Sequence, residues 1–307
     1  MESLLNTISK DFFVYKSILH ICAMESILAF IHWDVNPEIL PGILPVRWYG
    51  LLFSLGFFIG TWIMAKIFVN ENRPESDADA ILIYMVVATI IGARLGHVLF
   101  YQPDYYLQHP LEVLQIWKGG LASHGGAIGI IIALYLYSSK RPDQPWLWIL
   151  DRIVIPVALA GCFIRFGNLM NSEIIGRPTD VPWAFIFERA YVADPLTPRH
   201  PAQLYESITY LIIFFILGTI YKKKGHKLPQ GILFGLFLIL VFGMRFVWEF
   251  FKEDQVAFEA TMELNMGQWL SIPAVLGGLF FFVRSLGKAG TPPPFPEVNP
   301  NEDKLKK

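Results

Sequence analysis

Residues 48–68 read WYGLLFSLGFFIGTWIMAKIF, an unbroken apolar run in which Lys66 is the only charged side chain. A bilayer's hydrocarbon core is about 30 Å thick and an α-helix rises about 1.5 Å per residue, so about 20 such residues cross it. Moving outward with the same ruler, comparable runs stand at 80–100, 121–138, 148–168, 203–221, 231–250 and 267–286, with Pro156 interrupting the fourth. The whole chain agrees. Of 307 residues, 54% are hydrophobic and only 17% charged, and the mean hydropathy is +0.44. A soluble domain of this length needs more charge to cover its surface. The expected fold is an all-α integral membrane protein of about seven transmembrane helices with a small head segment outside the bilayer.

The flanks and connections are read against those spans. Phe12 to Phe30 is apolar but broken by Lys16, His20 and Glu25, which suits a helix lying in the interface better than an eighth span. No cleavable signal peptide is evident. Arg73, then Lys140 and Arg141, then the Lys222 to Lys227 cluster, then Lys288, Lys304, Lys306 and Lys307 follow spans one, three, five and seven. The positive-inside rule therefore puts the C-terminus in the cytoplasm and the start of span one outside. Trp48, Tyr49, Tyr101, Tyr105, Tyr106, Trp117 and Trp248 gather near the outer ends, as interfacial aromatics do. The expected organisation is an N-terminal interfacial segment 1–47, a membrane domain 48–286 with its head at about 169–202, and a disordered Pro-rich tail 287–307. Cys22 and Cys162 each lie in or beside an apolar stretch and read as packing residues, with no disulfide framework or thiolate metal cluster.

Against this background the ionisable residues inside the spans stand out, because a charge at a helix centre costs about 2.5–3.5 kcal/mol on insertion scales. Arg94 and His97 are three apart, and His124 opens the third span within Gly-Gly-Leu-Ala-Ser-His-Gly-Gly. Arg165 and Asn168 share a face, followed by Asn171 and Glu173. Gln203 and Glu206 start the fifth span after His200, and Arg245 and Glu249 are four apart near the end of the sixth. In the topology above all of them lie towards the outer side, where they can line one polar cavity. Two arginines suit a phosphate, since guanidinium stays charged in apolar surroundings and presents a fork to the anion. Snorkelling or a structural ion pair is the other reading, and for Arg94 and His97 both stay open. Gly119, Gly120, Gly125, Gly126 and Gly129 either let helices approach closely or turn backbone N–H groups towards an anion.

These residues carry a resemblance. Trp48-Tyr49-Gly50, the 119–126 motif, Arg165-Phe-Gly-Asn168-Leu-Met-Asn171-Ser-Glu173, Arg199-His200-Pro201-Ala-Gln203-Leu-Tyr205-Glu206, Arg245-Phe-Val-Trp-Glu249-Phe-Phe and Met266-Gly267-Gln268 occur in order from about Ile31 to Leu286. Together they resemble the prolipoprotein diacylglyceryl transferases. The resemblance implies a bacterial inner-membrane enzyme with seven transmembrane helices and a periplasmic head. Such an enzyme moves the diacylglyceryl group of phosphatidylglycerol onto the lipobox cysteine of a prolipoprotein and releases glycerol phosphate. It also implies site roles. Arg165 binds the phosphatidylglycerol headgroup and Arg245 completes the phosphate clamp. His124 is the candidate base for the cysteine thiol, or else positions substrate. Tyr49, Asn168, Glu173, Glu206 and Glu249 orient or balance charge around the arginines, and Gly125 and Gly126 shape the histidine motif. No cofactor, metal or nucleic-acid partner is expected.

The chain departs from the family pattern at Ile164, where Gly is usual, at Phe242, where a tyrosine is common, and at Ser123, where an aromatic is common. Phe242 puts any hydroxyl contribution there in doubt. A transporter or channel for an anionic lipid or solute is the competing class, but it should carry charges through both halves of the membrane. An intramembrane protease would need a Ser-His pair or two aspartates within the spans, and neither is convincing here.

Overall fold

The computed structural model describes residues 30–253, 262–287 and 291–293. The interfacial helix expected at Phe12–Phe30 falls outside these residues except for Phe30, as does most of the tail 287–307. The helices are α1 Trp48–Asn70, α2 Ser76–Phe100, the short α3 Pro103–Gln108, α4 Ser123–Ser139, α5 Trp146–Met170, α6 Ala202–Lys224, α7 Ile232–Trp248 and α8 Met266–Ser285. Among the described residues six helices are long and apolar enough to cross a membrane, and α4 is a shorter apolar helix of 17 residues, about 25 Å at 1.5 Å per residue. The chain is thus an all-α integral membrane protein of about seven helices. Large side chains such as Phe58 and Trp62 on α1 remain exposed, which apolar lipid tolerates and water would not.

The helices alternate in direction, so the ends of α2, α5 and α7 meet the starts of α1, α4, α6 and α8 at one end of the bundle. α5 is its centre: 61% of its most apolar window is buried, against 22–33% for the other long helices. Pro156 does not interrupt it, contrary to the sequence expectation; the helix runs unbroken from Trp146 to Met170. Pro156 removes one N–H from the helix ladder and is buried, facing Gly60 of α1. α2 and α4 meet through glycines. A Cβ on Gly96 would lie 2.7 Å from Gly125 Cα, and one on Gly129 would lie 2.5 Å from Ala88 O. Of the two readings of that motif, Gly125 and Gly129 serve close helix approach.

The head is built from two segments that are far apart in sequence. Strand β1 Ile31–Trp33 pairs in parallel with β4 Phe185–Phe187, and β2 Glu38–Leu40 pairs antiparallel with β3 Leu44–Arg47. Trp33 Nε1 donates to Leu169 O at 2.9 Å, tying β1 to the end of α5. Leu169, Ile175, Phe185 and Phe187 form the small head core. The head therefore draws on residues 31–47 as well as on the 169–202 connection.

The opposite end carries a buried polar network that the hydropathy reading passes over. Arg152, fully buried, donates to both Glu71 oxygens at 3.1 Å, and Trp148 Nε1 donates to Glu71 at 2.9 Å. Asp151 accepts from the backbone N–H groups of Gly231 (2.6 Å) and Phe234 (2.8 Å), capping the start of α7 from a neighbouring helix. Asp77 accepts from Gln144 Nε2 and Arg141 Nη2. These contacts weld α1, α2, α5 and α7 together at the end away from the head.

Candidate active site at the head-side end of the bundle

Arg165 lies on the last turns of α5, four residues from the buried Leu169 that anchors the head core. Its Nε is 3.0 Å from Glu206 Oε2 on the first turns of α6, an ion pair without hydrogen-bond alignment. Nη1 makes a long 3.4 Å contact to Asn168 Oδ1. Asn168 Nδ2 in turn reaches Glu173 Oε2 at 3.4 Å, and Asn171 Nδ2 donates to Glu173 Oε1 at 3.0 Å. Gln203, fully buried, donates to Glu173 O at 2.6 Å and holds the turn after α5 against α6.

A lysine continues this chain of charges. Lys252 Nζ is 2.9 Å from Glu206 Oε1 and 2.9 Å from Glu249 Oε1. Glu249 is also 3.4 Å from Arg245 Nε and accepts from Asn265 Nδ2 at 3.2 Å. Gly267 makes room for it, since a Cβ there would stand 2.5 Å from the Glu249 carboxyl carbon. The order Arg165, Glu206, Lys252, Glu249, Arg245 alternates in sign, with three cations to two carboxylates and an arginine at each end. The carboxylates hold the arginines only loosely, so both guanidinium groups keep donors for an incoming anion. Glu206, Glu249 and Lys252 are buried, whereas the Arg245 side chain is 34% exposed.

Aromatic groups frame these charges. Tyr49 packs on Gly167, where a Cβ would come within 2.9 Å of its ring, and the Tyr210 ring covers Gly161 in the same way at 2.6 Å. Between α6 and α7 a narrow gap, with room for about one water molecule, is lined by Glu206, Thr209, Tyr210, Met244, Arg245 and Trp248. On the head side, burial pushes the His200 imidazole below its usual pKa; its Nδ1 lies 3.2 Å from Tyr205 Oη and its ring meets Phe251 edge-on at 5.1 Å.

Arg165, Asn168, Glu173, Glu206, Arg245 and Glu249 are thus brought together, with Tyr49 beside them. His124 belongs to a second group. It is exposed on the first turn of α4, with the rings of Phe100 (5.5 Å) and Tyr101 (5.8 Å) as neighbours, and Tyr101 in turn stacks on His97 of α2 at 5.6 Å. Lys252, Tyr210 and Asn265 are members of the site that the sequence reading did not single out. Lys252 had a visible signal, lying three residues after Glu249 and seven after Arg245. Among the described residues, no three His, Cys, Asp or Glu side chains converge as metal ligands.

The family model described as prolipoprotein diacylglyceryl transferase matches residues 38–284. Three similar proteins carry the name phosphatidylglycerol–prolipoprotein diacylglyceryl transferase. That of Chloroherpeton thalassium is 49% identical over 262 residues, 85% of this chain and 96% of that protein. That of Tolumonas auensis is 48% identical over 254 residues, 82% and 96% of the two chains. That of Bacteroides fragilis is 45% identical over 272 residues, 84% and 96%. With the model covering most of its length, the chain belongs to the prolipoprotein diacylglyceryl transferase family of membrane transferases.

Proposed function

We propose that this enzyme transfers the diacylglyceryl group of phosphatidylglycerol to the lipobox cysteine thiol of prolipoproteins. The cysteine thiolate attacks the diacylglyceryl carbon that bears the phosphate. A C–S bond forms, the C–O bond breaks, and its electron pair leaves with glycerol phosphate. The observation that carries this reading is the alternating ladder, in which two loosely paired arginines flank buried carboxylates and a lysine. Arg165 and Arg245 take the phosphate between them and offset the charge that grows on the leaving oxygen. Glu206 and Glu249, tied together by Lys252, set where the guanidinium groups point. Asn168, Glu173 and Tyr49 orient Arg165 from the α5 side. His124 takes the thiol proton or positions the cysteine, and Gly125 lets its helix start against α2. Gly126, next in the same turn, keeps that start free of a side chain. An anion transporter remains the disfavoured alternative, because the family relatives are named as transferases.

This reading extends to place and partners. The protein sits in the bacterial inner membrane with the ladder facing the periplasm, the N-terminal segment 1–47 outside and the tail 287–307 in the cytoplasm. Phosphatidylglycerol of the outer leaflet and the signal peptide of a prolipoprotein are its two substrates. The deciding assay incubates purified protein with phosphatidylglycerol vesicles and a lipobox peptide, and weighs the peptide. A gain of one diacylglyceryl group is expected from the wild type and not from Arg165→Ala. Equal product from both would overturn the phosphate clamp. A reporter placing the C-terminus outside would overturn the orientation.

A further inference from the structure

Arg94 is 4% exposed on α2, and its partners are backbone carbonyls rather than carboxylates. Nε donates to Val113 O (2.8 Å), Nη2 to Glu112 O (2.6 Å), and Nη1 to Gly119 O (2.7 Å) and Gly120 O (3.2 Å). The Tyr106 ring covers the guanidinium at 5.0 Å. Every one of these partners lies in the segment 103–120, made of α3 and the short 3-10 turns Pro110–Leu114 and Ile116–Lys118. Beside these bonds Tyr106 is buried and meets the His97 ring at 6.1 Å, whereas Leu107, Leu111, Leu114 and Trp117 are each more than 70% exposed.

The local backbone is shaped to meet the charge. Gly119 and Gly120 have φ of +86° and +71°, which turns both carbonyls towards Arg94. A Cβ on Gly120 would lie 2.7 Å from the His97 ring and 2.8 Å from Arg94 Nη1. Immediately afterwards Ala122 N donates to Ala93 O at 2.9 Å, and α4 begins with His124 in its first turn. The ring neighbours of His124, Phe100 and Tyr101, mark the point where the same segment leaves α2. His124 therefore sits where the two ends of the segment meet, and Arg94 holds the middle.

We propose that Arg94 is a positioning residue: it clasps segment 103–120 against α2 through four carbonyls and so sets the place of His124. The functional half rests on the reading that His124 acts on the thiol. The clasp itself does not.

The test uses the full-length protein in phosphatidylglycerol nanodiscs, as wild type, Arg94→Met, Arg94→Lys and Gly120→Ala. Hydrogen–deuterium exchange of amides 111–122 should quicken by about tenfold or more in Arg94→Met and Gly120→Ala, with residues 148–168 unchanged and Arg94→Lys in between. Turnover of a lipobox peptide should fall by at least about tenfold, while KM for phosphatidylglycerol stays within about twofold because the arginine ladder is untouched. Gly120→Ala attacks the clasp from the segment's side, should Arg94→Met fail to fold. Unchanged exchange at 111–122 would overturn the proposal. So would faster exchange spread evenly over the bundle, or a loosened segment with full turnover. Unimpaired turnover by His124→Asn would defeat the functional half alone, leaving the clasp to be judged by exchange.

Discussion

Replacing Lys252 by methionine tests the charge ladder at its middle. The lysine is 3% exposed and its ammonium lies 2.9 Å from a carboxylate oxygen of both Glu206 and Glu249. Methionine has a similar length and fills the space without the charge, so packing changes little. Removing one member of a buried ion pair costs about 3–5 kcal/mol, because the partner is left buried and uncompensated. Here each carboxylate has a second cation to turn to, Glu206 towards Arg165 and Glu249 towards Arg245. That movement recovers part of the cost by tightening the pairs that must stay loose to accept a phosphate. A net loss of about 3 kcal/mol in transition-state binding is expected, a factor of about 150 in kcat/KM for phosphatidylglycerol. Lys252→Arg should stay within about fivefold of wild type, since it keeps the charge. Adding Glu249→Gln to Lys252→Met should return part of the activity by removing one of the stranded carboxylates. The assay is the initial rate of peptide lipidation across a range of phosphatidylglycerol content. A correctly folded Lys252→Met enzyme within about threefold of wild type would refute the role of the lysine in keeping the arginines available.

Three further outcomes follow from the same geometry. Arg165→Lys keeps the charge but loses the planar fork, and should lower kcat/KM by about a hundredfold in the lipidation assay. At the far end of the bundle, Arg152→Met strands Glu71 and should cost about 3–5 kcal/mol of stability, read as a fall in Tm in detergent, with Glu71→Gln restoring part of it. The half-buried His200 imidazole has its pKa lowered by desolvation, so the folded head takes up a proton less readily than the unfolded chain. Stability of the head should therefore be steady above about pH 6.5 and fall as pH drops below it. Hydrogen–deuterium exchange of residues 171–200 should show that slope in the wild type and lose it in His200→Gln.

The spans were legible because hydropathy is a local property. The predicted 48–68, 80–100 and 148–168 became Trp48–Asn70, Ser76–Phe100 and Trp146–Met170, differing by a few residues at the ends. Pro156 misled because a proline in a membrane helix is tolerated where neighbouring helices bury it, and that burial is invisible to a local window. The same limit hid Glu71 from Arg152, 81 positions apart, and β1 from β4. Within the site, Arg245 with Glu249 and Arg165 with Asn168 were readable from helical spacing. That Glu206 faces Arg165, and that Lys252 bridges two carboxylates from α6 and the end of α7, depends on how helices pack. Lys252 is not singled out by the sequence, because nothing in a linear count distinguishes a buried lysine from an interfacial one. For Arg94 the sequence leaves a place in the polar cavity and a snorkelling or ion-paired role both open, and its partners are backbone carbonyls.

The division of the polar residues into two groups bears on how a single reaction would use them. One group is built on α5, α6 and α7 and is rich in paired charge; the other is built on α2 and α4 and holds His124 among aromatic rings. A thiol and a phosphodiester make opposite demands on their surroundings. The phosphate is stabilised by fixed cations, whereas a thiolate beside those same cations would be held as an ion pair and lose nucleophilicity. On the proposed assignment, a histidine on a separate helix pair would let the cysteine lose its proton away from the arginines and meet the lipid carbon only at the boundary between the groups. Each half is also fixed independently, α2 to α4 by interlocked glycines and α5 to α6 and α7 by the ion pairs themselves. A variant of the ladder should therefore act on the phosphatidylglycerol side of the kinetics and a variant of the Arg94 clasp on the peptide side. The two effects should multiply when combined, since the sites share no partner.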